Sequence, residues 1–423
     1  MIGNATEWYD YAIYGYLAVT LGEVFFPATD PTASLLSSFA TFALAFAVRP
    51  LGALFFGPLS DRFGRQRTLA STILGMATAT VLIGLLPSYA AAGVLAPLLL
   101  VLLRVLQGFC VGGEYGGAAT FAVESAPDSR RGFWASWLEF GAIGGFLLAS
   151  AEVTALTVAL PEDDMHAWGW RIPFLVAGVL GVVGLHLRVK LTESPAYRRL
   201  VETAGTSRAP VRTVLTARWP AVLRCGGIVM CSSIGTYLVL TYAPSFLSES
   251  VGFPSGTAQL LVFAAGAALV ALIPVAGALS DRVGRKPMLL AGGLGYAALS
   301  YPAFLLLTRG SWLAALLGLL LLVLCHAPIL GTTTATLPAL FPAQLRGTGV
   351  AVGYNASFAV FGGTAPLVAT SLVEGGGNLL APAAYLAAAG LLSAIPVATT
   401  PESARSPLPP ADGGASQHEE DAC

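Results

Sequence analysis

Apolar runs of about twenty residues alternate with short charged gaps along almost the whole chain. A bilayer core of about 30 Å takes roughly 20 apolar residues per helix. The runs therefore predict membrane spans near 5–26, 34–57, 68–87, 94–125, 132–158 and 170–188, then 219–247, 256–279, 288–307, 312–339, 347–372 and 380–399. The only long internal polar stretch, 190–218, separates an N-terminal bundle (1–189) from a C-terminal one (219–399). A tail from 400 to 423, rich in Pro, Gly, Ser and acids, is expected to be disordered and to form no coiled coil, since it carries no heptads. The expected fold class is an all-α integral membrane protein with twelve transmembrane helices in two six-helix pseudo-symmetric bundles.

Composition agrees with a membrane setting. Apolar residues make up 55% of the chain and charged ones 11%, against roughly 25% charged in a soluble domain. The net charge of −1 gives no reason to expect nucleic acid as a partner. Apart from Arg171 and Arg309, the basic residues fall on one side of alternating helices: Arg62, Arg65, Arg67, Arg130 and Arg131, the linker, then Arg282, Arg285, Lys286, Arg346 and Arg405. By the positive-inside rule both termini are cytoplasmic in a multi-pass plasma (inner) membrane protein. No cleavable signal peptide is expected, because Glu7 and Asp10, not a basic leader, precede the first apolar run. The five cysteines lack metal-ligand spacing and read as buried thiols, with no metal site expected.

The gap Gly57-Pro58-Leu59-Ser60-Asp61-Arg62-Phe63-Gly64-Arg65 returns half a chain later as Gly277-Ala278-Leu279-Ser280-Asp281-Arg282-Val283-Gly284-Arg285. A second pair, Pro127-x-x-x-Arg131-Gly132 and Pro342-x-x-x-Arg346-Gly347, repeats at nearly the same spacing. Such duplication of a helix bundle is the build of secondary transporters, whose substrate site lies between the halves. An aspartate here can accept from a helix N-terminus, and the arginines can bind acids at helix ends. Asp61, Arg62, Arg65, Asp281, Arg282 and Arg285 thus read as a gate latch on the cytoplasmic side, set against a plain topology signal of positive-inside arginines.

Ionisable groups inside a span are costly and functional suspects by default. They are Glu7 and Asp10 on one face of the first helix, Arg49 in the second, Arg104 and Glu114 in the fourth and Glu139 in the fifth. Arg104 lies about 15 Å from its helix end, too deep to reach water, so a pairing with Asp10 or Glu7 is expected. Protonating the acid would then release Arg104 for a substrate carboxylate, the alternative being a static ion pair. Glu7, Asp10, Glu114 and Glu139 are the proton-coupling candidates. Arg49, nearer the cytoplasmic end, reads as structural, and the lone His326 as a packing residue. The glycines of helices four and five, among them Gly112, Gly116 and Gly145, read as sites of close helix packing.

With these residues in view the chain resembles the major facilitator superfamily, and within it the metabolite:H⁺ symporters. The matching pieces include Gly3-Asn4-x-x-Glu7-Trp8-Tyr9-Asp10, Arg49-Pro50-Leu51-Gly52, Arg104-x-x-Gln107-Gly108, Gly112-Gly113-Glu114-Tyr115-Gly116-Gly117 and Glu193-Ser194-Pro195. Narrower likeness to the proline/glycine betaine (compatible-solute) branch rests on Phe25-Phe26-Pro27-x-x-Asp30-Pro31, Gly132-Phe133-x-x-Ser136-Trp137 and Leu240-Thr241-Tyr242-x-Pro244-Ser245. The missing coiled coil departs from the osmosensing members.

The resemblance implies proton-coupled import of a small zwitterion of the proline, betaine or ectoine type by alternating access, by a functional monomer with no cofactor and the proton gradient as driving force. The alternative is the same fold carrying a mono- or dicarboxylate or another metabolite, such as α-ketoglutarate, citrate or shikimate. Arg104 suits a carboxylate, and aromatic walls suit a quaternary ammonium. The candidate substrate contacts are Arg104, Gln107, Tyr115, Trp137, Tyr237, Tyr242 and Asn355, with Trp8, Tyr14 and Tyr354 as further walls. No nucleophile–base or metal constellation suggests an enzyme.

Overall fold

The computed structural model describes residues 2–28, 30–63, 65–112, 114–189 and 210–409, without the side chains of residues 2–3, 57–63, 65–69, 114, 185–189 and 210. The described chain is helical. Helix α1 runs Ile2–Tyr16 and continues as Ala18–Phe25, followed by α2 (Pro31–Phe63), α3 (Arg65–Gly84), α4 (Leu95–Val111 and Glu114–Glu124), α5 (Arg131–Ala159) and α6 (Arg171–Val189). The second set is α7 (Trp219–Ser250), α8 (Ser255–Val283), α9 (Arg285–Leu307), α10 (Trp312–Leu340), α11 (Arg346–Gly376) and α12 (Ala381–Thr399). Among the described residues nine helices pass a length-and-hydropathy test for crossing a membrane, and α6, joined across a bend of 43° to the segment before it, makes a tenth. Helices α1 and α3 complete the twelve as shorter or more polar spans.

Side-chain periodicity shows which face meets lipid. In α4, Leu98, Leu102 and Leu106 recur every four residues and are 59%, 61% and 43% exposed, whereas Leu100, Arg104 and Gln107 point inward and are fully buried. With this much leucine outward, the exposed face is suited to acyl chains, not water. The two halves meet along α5 against α8 and α10, α2 against α11, α4 against α11 and α1 against α7. Helices α7 and α11 carry π-helical turns at Tyr237–Tyr242, Phe246–Ser250 and Phe358–Gly362, a feature that often marks functional positions.

At the arginine-rich end the two repeated sequences interlock across the halves. Asp281 accepts from the backbone N–H of Gly132 at 2.7 Å and of Phe133 at 2.9 Å, at the start of α5. Helix N-termini present unpaired N–H groups and partial positive charge, so a carboxylate is stabilised there. The approach needs glycine on both sides: a Cβ on Gly132 would collide with Ser280, Gly277 and Asp281, and one on Gly277 with Ser136. Arg346 at the start of α11 adds an ion pair to Glu124 of α4 at 2.5 Å.

The tail departs from the expected disorder as far as residue 409. Glu402 accepts from the N–H groups of Arg285 and Lys286 at 3.0 Å, capping α9. Carbonyls of Ser406 and Pro409 accept from Arg131 and Arg346 at 3.0 and 2.8 Å. The expectation failed because composition is a local measure, whereas these partners are distant in sequence. Residues 190–209 of the linker and 410–423 of the tail lie outside the described residues, and Pro210–Ala217 of the linker forms a short helix.

Candidate functional site

Two buried arginines dominate the middle of the N-terminal bundle. Both guanidinium groups stack on Tyr11 of α1, Arg49 at 4.2 Å and Arg104 at 5.3 Å from the ring centroid. Arg49 also lies over Phe46 at 4.3 Å and Trp8 at 5.5 Å, and Arg104 over Tyr14 at 4.2 Å. Aromatic faces of this kind partly replace lost hydration for a guanidinium.

The acids partner these cations differently from the expectation. Arg49, not Arg104, lies nearest Glu7, at 3.9 Å. Arg104 is linked by hydrogen bonds to Asp10 through two intervening side chains. Its Nη1 donates to Gln107 Oε1 at 2.5 Å, Gln107 Nε2 donates to Thr80 Oγ1 at 2.8 Å, and Thr80 Oγ1 donates to Asp10 Oδ2 at 3.0 Å. The direct Arg104–Asp10 pair is therefore replaced by a chain of contacts in which the single Thr80 hydroxyl hydrogen is shared between Asp10 Oδ2 at 3.0 Å and the Met76 carbonyl at 2.9 Å. Placing Gln107 one turn below Arg104 on α4 puts both on the same face, and Thr80 comes from α3. Among the described residues the Nε and Nη2 atoms of Arg104 are buried with no hydrogen-bond acceptor, a costly state for cationic donors, and Arg49 Nη2 has only the longer ion pair with Glu7.

A second polar cluster joins the halves. Glu139 of α5, 5% exposed, accepts from Tyr115 Oη of α4 at 2.5 Å and from Thr334 Oγ1 of α10 at 3.1 Å. Tyr115 stacks on Tyr354 of α11 with centroids 3.6 Å apart. Glu139, Tyr354, Trp8, Phe146 and Phe358 line a cavity between the bundles, with Thr236 on its C-terminal wall. About 10 Å³ of it is open to the centre of a water molecule, room for about one water. Arg104 does not line this cavity. Trp8 does, and it packs on Tyr11, which carries both guanidinium groups.

On the far side from the arginine-rich end, Phe42 and Phe46 of α2 close against Tyr237 of α7 at 5.5 and 5.3 Å, and Phe46 against Phe358 of α11 at 6.5 Å. At the other end Asp281, seated on the start of α5, joins the two halves.

The other sequence candidates separate by location. Tyr237 belongs to this aromatic cluster and its hydroxyl has no partner among the described residues. Trp137 packs against Phe140 and Phe133 instead of lining the cavity. Tyr242 lies in a separate outer cavity. Asn355 spends its amide on the Gly112 carbonyl, at 2.7 Å across the halves. In the second gate copy Arg285 donates to the Ala335 carbonyl at 3.0 Å, while exposed Arg282 contributes its own carbonyl to Arg405. The side chains of Asp61, Arg62, Arg65 and Glu114 lie outside the described residues. His326 bonds Thr236 at 2.9 Å.

Sequence reasoning missed Thr80, Thr334 and the role of Tyr11. It also passed over Glu152, which accepts from the Tyr9 hydroxyl. Hydroxyls in apolar spans commonly bond their own helix, as Thr80 also does to Met76 at 2.9 Å, so nothing local marks them.

Comparison with known proteins identifies the family. A profile described as "Sugar (and other) transporter" matches residues 1–213, and one described as "Major Facilitator Superfamily" matches residues 225–418. The chain is 40% identical to the proline/betaine transporter of Salmonella typhimurium over 99% of its length and 85% of that protein's. It is 41% identical to the glycine betaine/proline/ectoine/pipecolic acid transporter OusA of Dickeya dadantii, over 98% of this chain and 84% of that one. Among solved structures, the proton:xylose symporter XylE bound to 6-bromo-6-deoxy-D-glucose superposes with a TM-score of 0.77 at 20% identity, covering 96% of this chain and 95% of that one. A partially occluded inward-open XylE from E. coli gives 0.75 at 22% identity, covering 95% and 96%. These likenesses to XylE concern the fold. The chain belongs to the major facilitator superfamily and, within it, to the family of the proline/betaine transporters.

Proposed function

We propose that the protein imports a small zwitterionic compatible solute of the proline, glycine betaine or ectoine type, coupled to protons, by alternating access. The observation that carries this reading is a cation with unused donors and an acid set on opposite sides of the Trp8–Tyr11 pair. On one side lies the Arg104 guanidinium, whose Nε and Nη2 have no hydrogen-bond acceptor among the described residues. On the other lies a cavity walled by aromatic rings and the Glu139 carboxylate. A zwitterion matches both sides, its carboxylate drawn to Arg104 by charge-assisted bonds and its ammonium to the rings and Glu139.

Proton coupling runs through the chain of contacts from Asp10 to Arg104. Ionised Asp10 takes a charge-assisted bond from Thr80; protonated, it accepts more weakly and becomes a donor itself. The order Thr80–Gln107–Arg104 then loosens, freeing Nη1 of Arg104 for the solute. Glu7, Glu139 and Glu114 are the remaining proton carriers. The gate is Asp281 on the start of α5, with Arg282 and Arg285 beside it. Asp61, Arg62 and Arg65, the first copy of the repeated motif, are the counterpart gate residues of the other half. The arginine-rich end and both termini are cytoplasmic, the membrane is the plasma (inner) membrane, and the unit is a monomer driven by the proton gradient with no cofactor.

A dicarboxylate is the second reading, favoured by the two guanidinium groups that share Tyr11. Uptake of radiolabelled betaine by proteoliposomes separates the two. The zwitterion reading expects competition by proline and ectoine and little by α-ketoglutarate or citrate; stronger competition by the dicarboxylates reverses the assignment.

A further inference from the structure

The molecule holds a second cavity on its far side, above the aromatic closure. It offers about 270 Å³ to the centre of a water molecule, against about 10 Å³ at the centre. Leu35 of α2 forms one wall, and Tyr242, Phe246 and Glu249 of α7 with Thr370 and Glu374 of α11 form the rest, so both bundles contribute. Leu35 precedes Phe42 by seven residues, about 10 Å along α2.

Two features give this space its chemistry. Glu249 and Glu374 are exposed and bring two carboxylates to the rim, with no basic side chain among the lining residues. Beneath them Tyr242 is 2% exposed, its ring tilted against Phe246 at 5.6 Å. Its hydroxyl has no hydrogen-bond partner among the described residues, and Glu374 is the charge that acts on it. An aromatic floor under two acids, with no third acid, histidine or cysteine grouped beside them among the described residues, favours a soft organic cation over a metal ion.

We infer that this outer cavity is a binding site for a small alkylammonium group, separate from the central site. Negative charge at the rim raises the local concentration of cations, and the cavity holds the ammonium end of a solute before the Phe42–Phe46–Tyr237 closure opens. The way-station role rests on the zwitterion reading; binding of the cation does not.

Tetramethylammonium, which has no carboxylate for Arg104, is the probe. Its binding to the purified full chain in nanodiscs is read by saturation-transfer NMR and calorimetry. Binding is expected in the wild type, weakened at least tenfold in the Glu249→Gln/Glu374→Gln double variant and in Tyr242→Ala, and retained in Arg104→Ala. The double variant changes only exposed side chains, and its thermal melt checks that it is folded. No binding to the wild type, equal binding to the folded double variant, or loss in Arg104→Ala would each overturn the proposal. If the probe binds as expected but betaine is not transported, the zwitterion reading fails and the site stands.

Discussion

The amide of Gln107 donates to the hydroxyl of Thr80 at 2.8 Å, and that one bond joins the cation of α4 to the acid of α1. Without it Arg104 and Asp10 would act on each other through space alone. With it, a change of protonation at Asp10 reaches a guanidinium that it does not touch.

Arg104 is expected to be indispensable for solute capture. Charge-assisted hydrogen bonds contribute about 1.5–3 kcal/mol, so Arg104→Ala should weaken apparent affinity at least tenfold while the protein remains in the membrane. Arg104→Lys should not restore it, because the planar fork and its stacking on Tyr14 are lost. Saturation curves of uptake, normalised to protein in the membrane, measure both.

Glu139→Gln removes the carboxylate from the cavity wall but keeps hydrogen-bonding capacity toward Tyr115 and Thr334. Loss of one charged contact to an ammonium predicts about a tenfold rise in the half-saturating betaine concentration, about 1.4 kcal/mol. Inhibition by a carboxylate without an ammonium should change less. Equal effects on both would remove Glu139 from ammonium recognition.

The twelve apolar runs were readable because membrane helices satisfy their own backbone and need only length and hydropathy to be recognised. The interlock of Asp281 with Gly132 was partly readable, since both residues sit in duplicated sequences. What sequence did not reveal depends on helix phase and distant partners. The π-turn at Tyr237–Tyr242 shifts the phase of α7, so Tyr237 joins the central closure while Tyr242 lines the outer cavity. Thr80 is one of several hydroxyls in apolar helices, and only the fold brings it between Gln107 and Asp10. Glu402 caps a helix that starts 117 positions earlier.

Asp281→Ala should loosen the arginine-rich end. Losing an N-terminal helix cap costs about 1 kcal/mol, roughly a fivefold shift in a two-state balance. A single cysteine introduced along the α5–α8 seam near that end should then react faster with a membrane-impermeant maleimide in inside-out vesicles. An unchanged rate would deny the latch.

Glu402 makes stability at that end depend on pH. Burial works to raise its pKa, but the N–H groups of Ala404, Arg285, Lys286 and Ser403 together outweigh this and hold it below the ordinary value of 4.5. A lowered folded-state pKa means the contribution is fully present above about pH 4.5 and lost as pH falls through the folded value. Glu402→Gln should therefore melt at a lower temperature than the wild type at pH 6, and the difference should shrink below pH 4.5. A constant difference across that range would contradict the capping role.

The most direct measurement of the central claim is uptake by proteoliposomes containing Thr80→Val, a variant of similar shape that cannot pass the hydrogen bond from Gln107 to Asp10. The chain of contacts predicts that solute exchange at equal concentrations on both sides persists, while accumulation driven by an imposed pH gradient collapses, as it should in Asp10→Asn. If Thr80→Val still concentrates solute in response to the gradient as the wild type does, Asp10 does not act on Arg104 through this path.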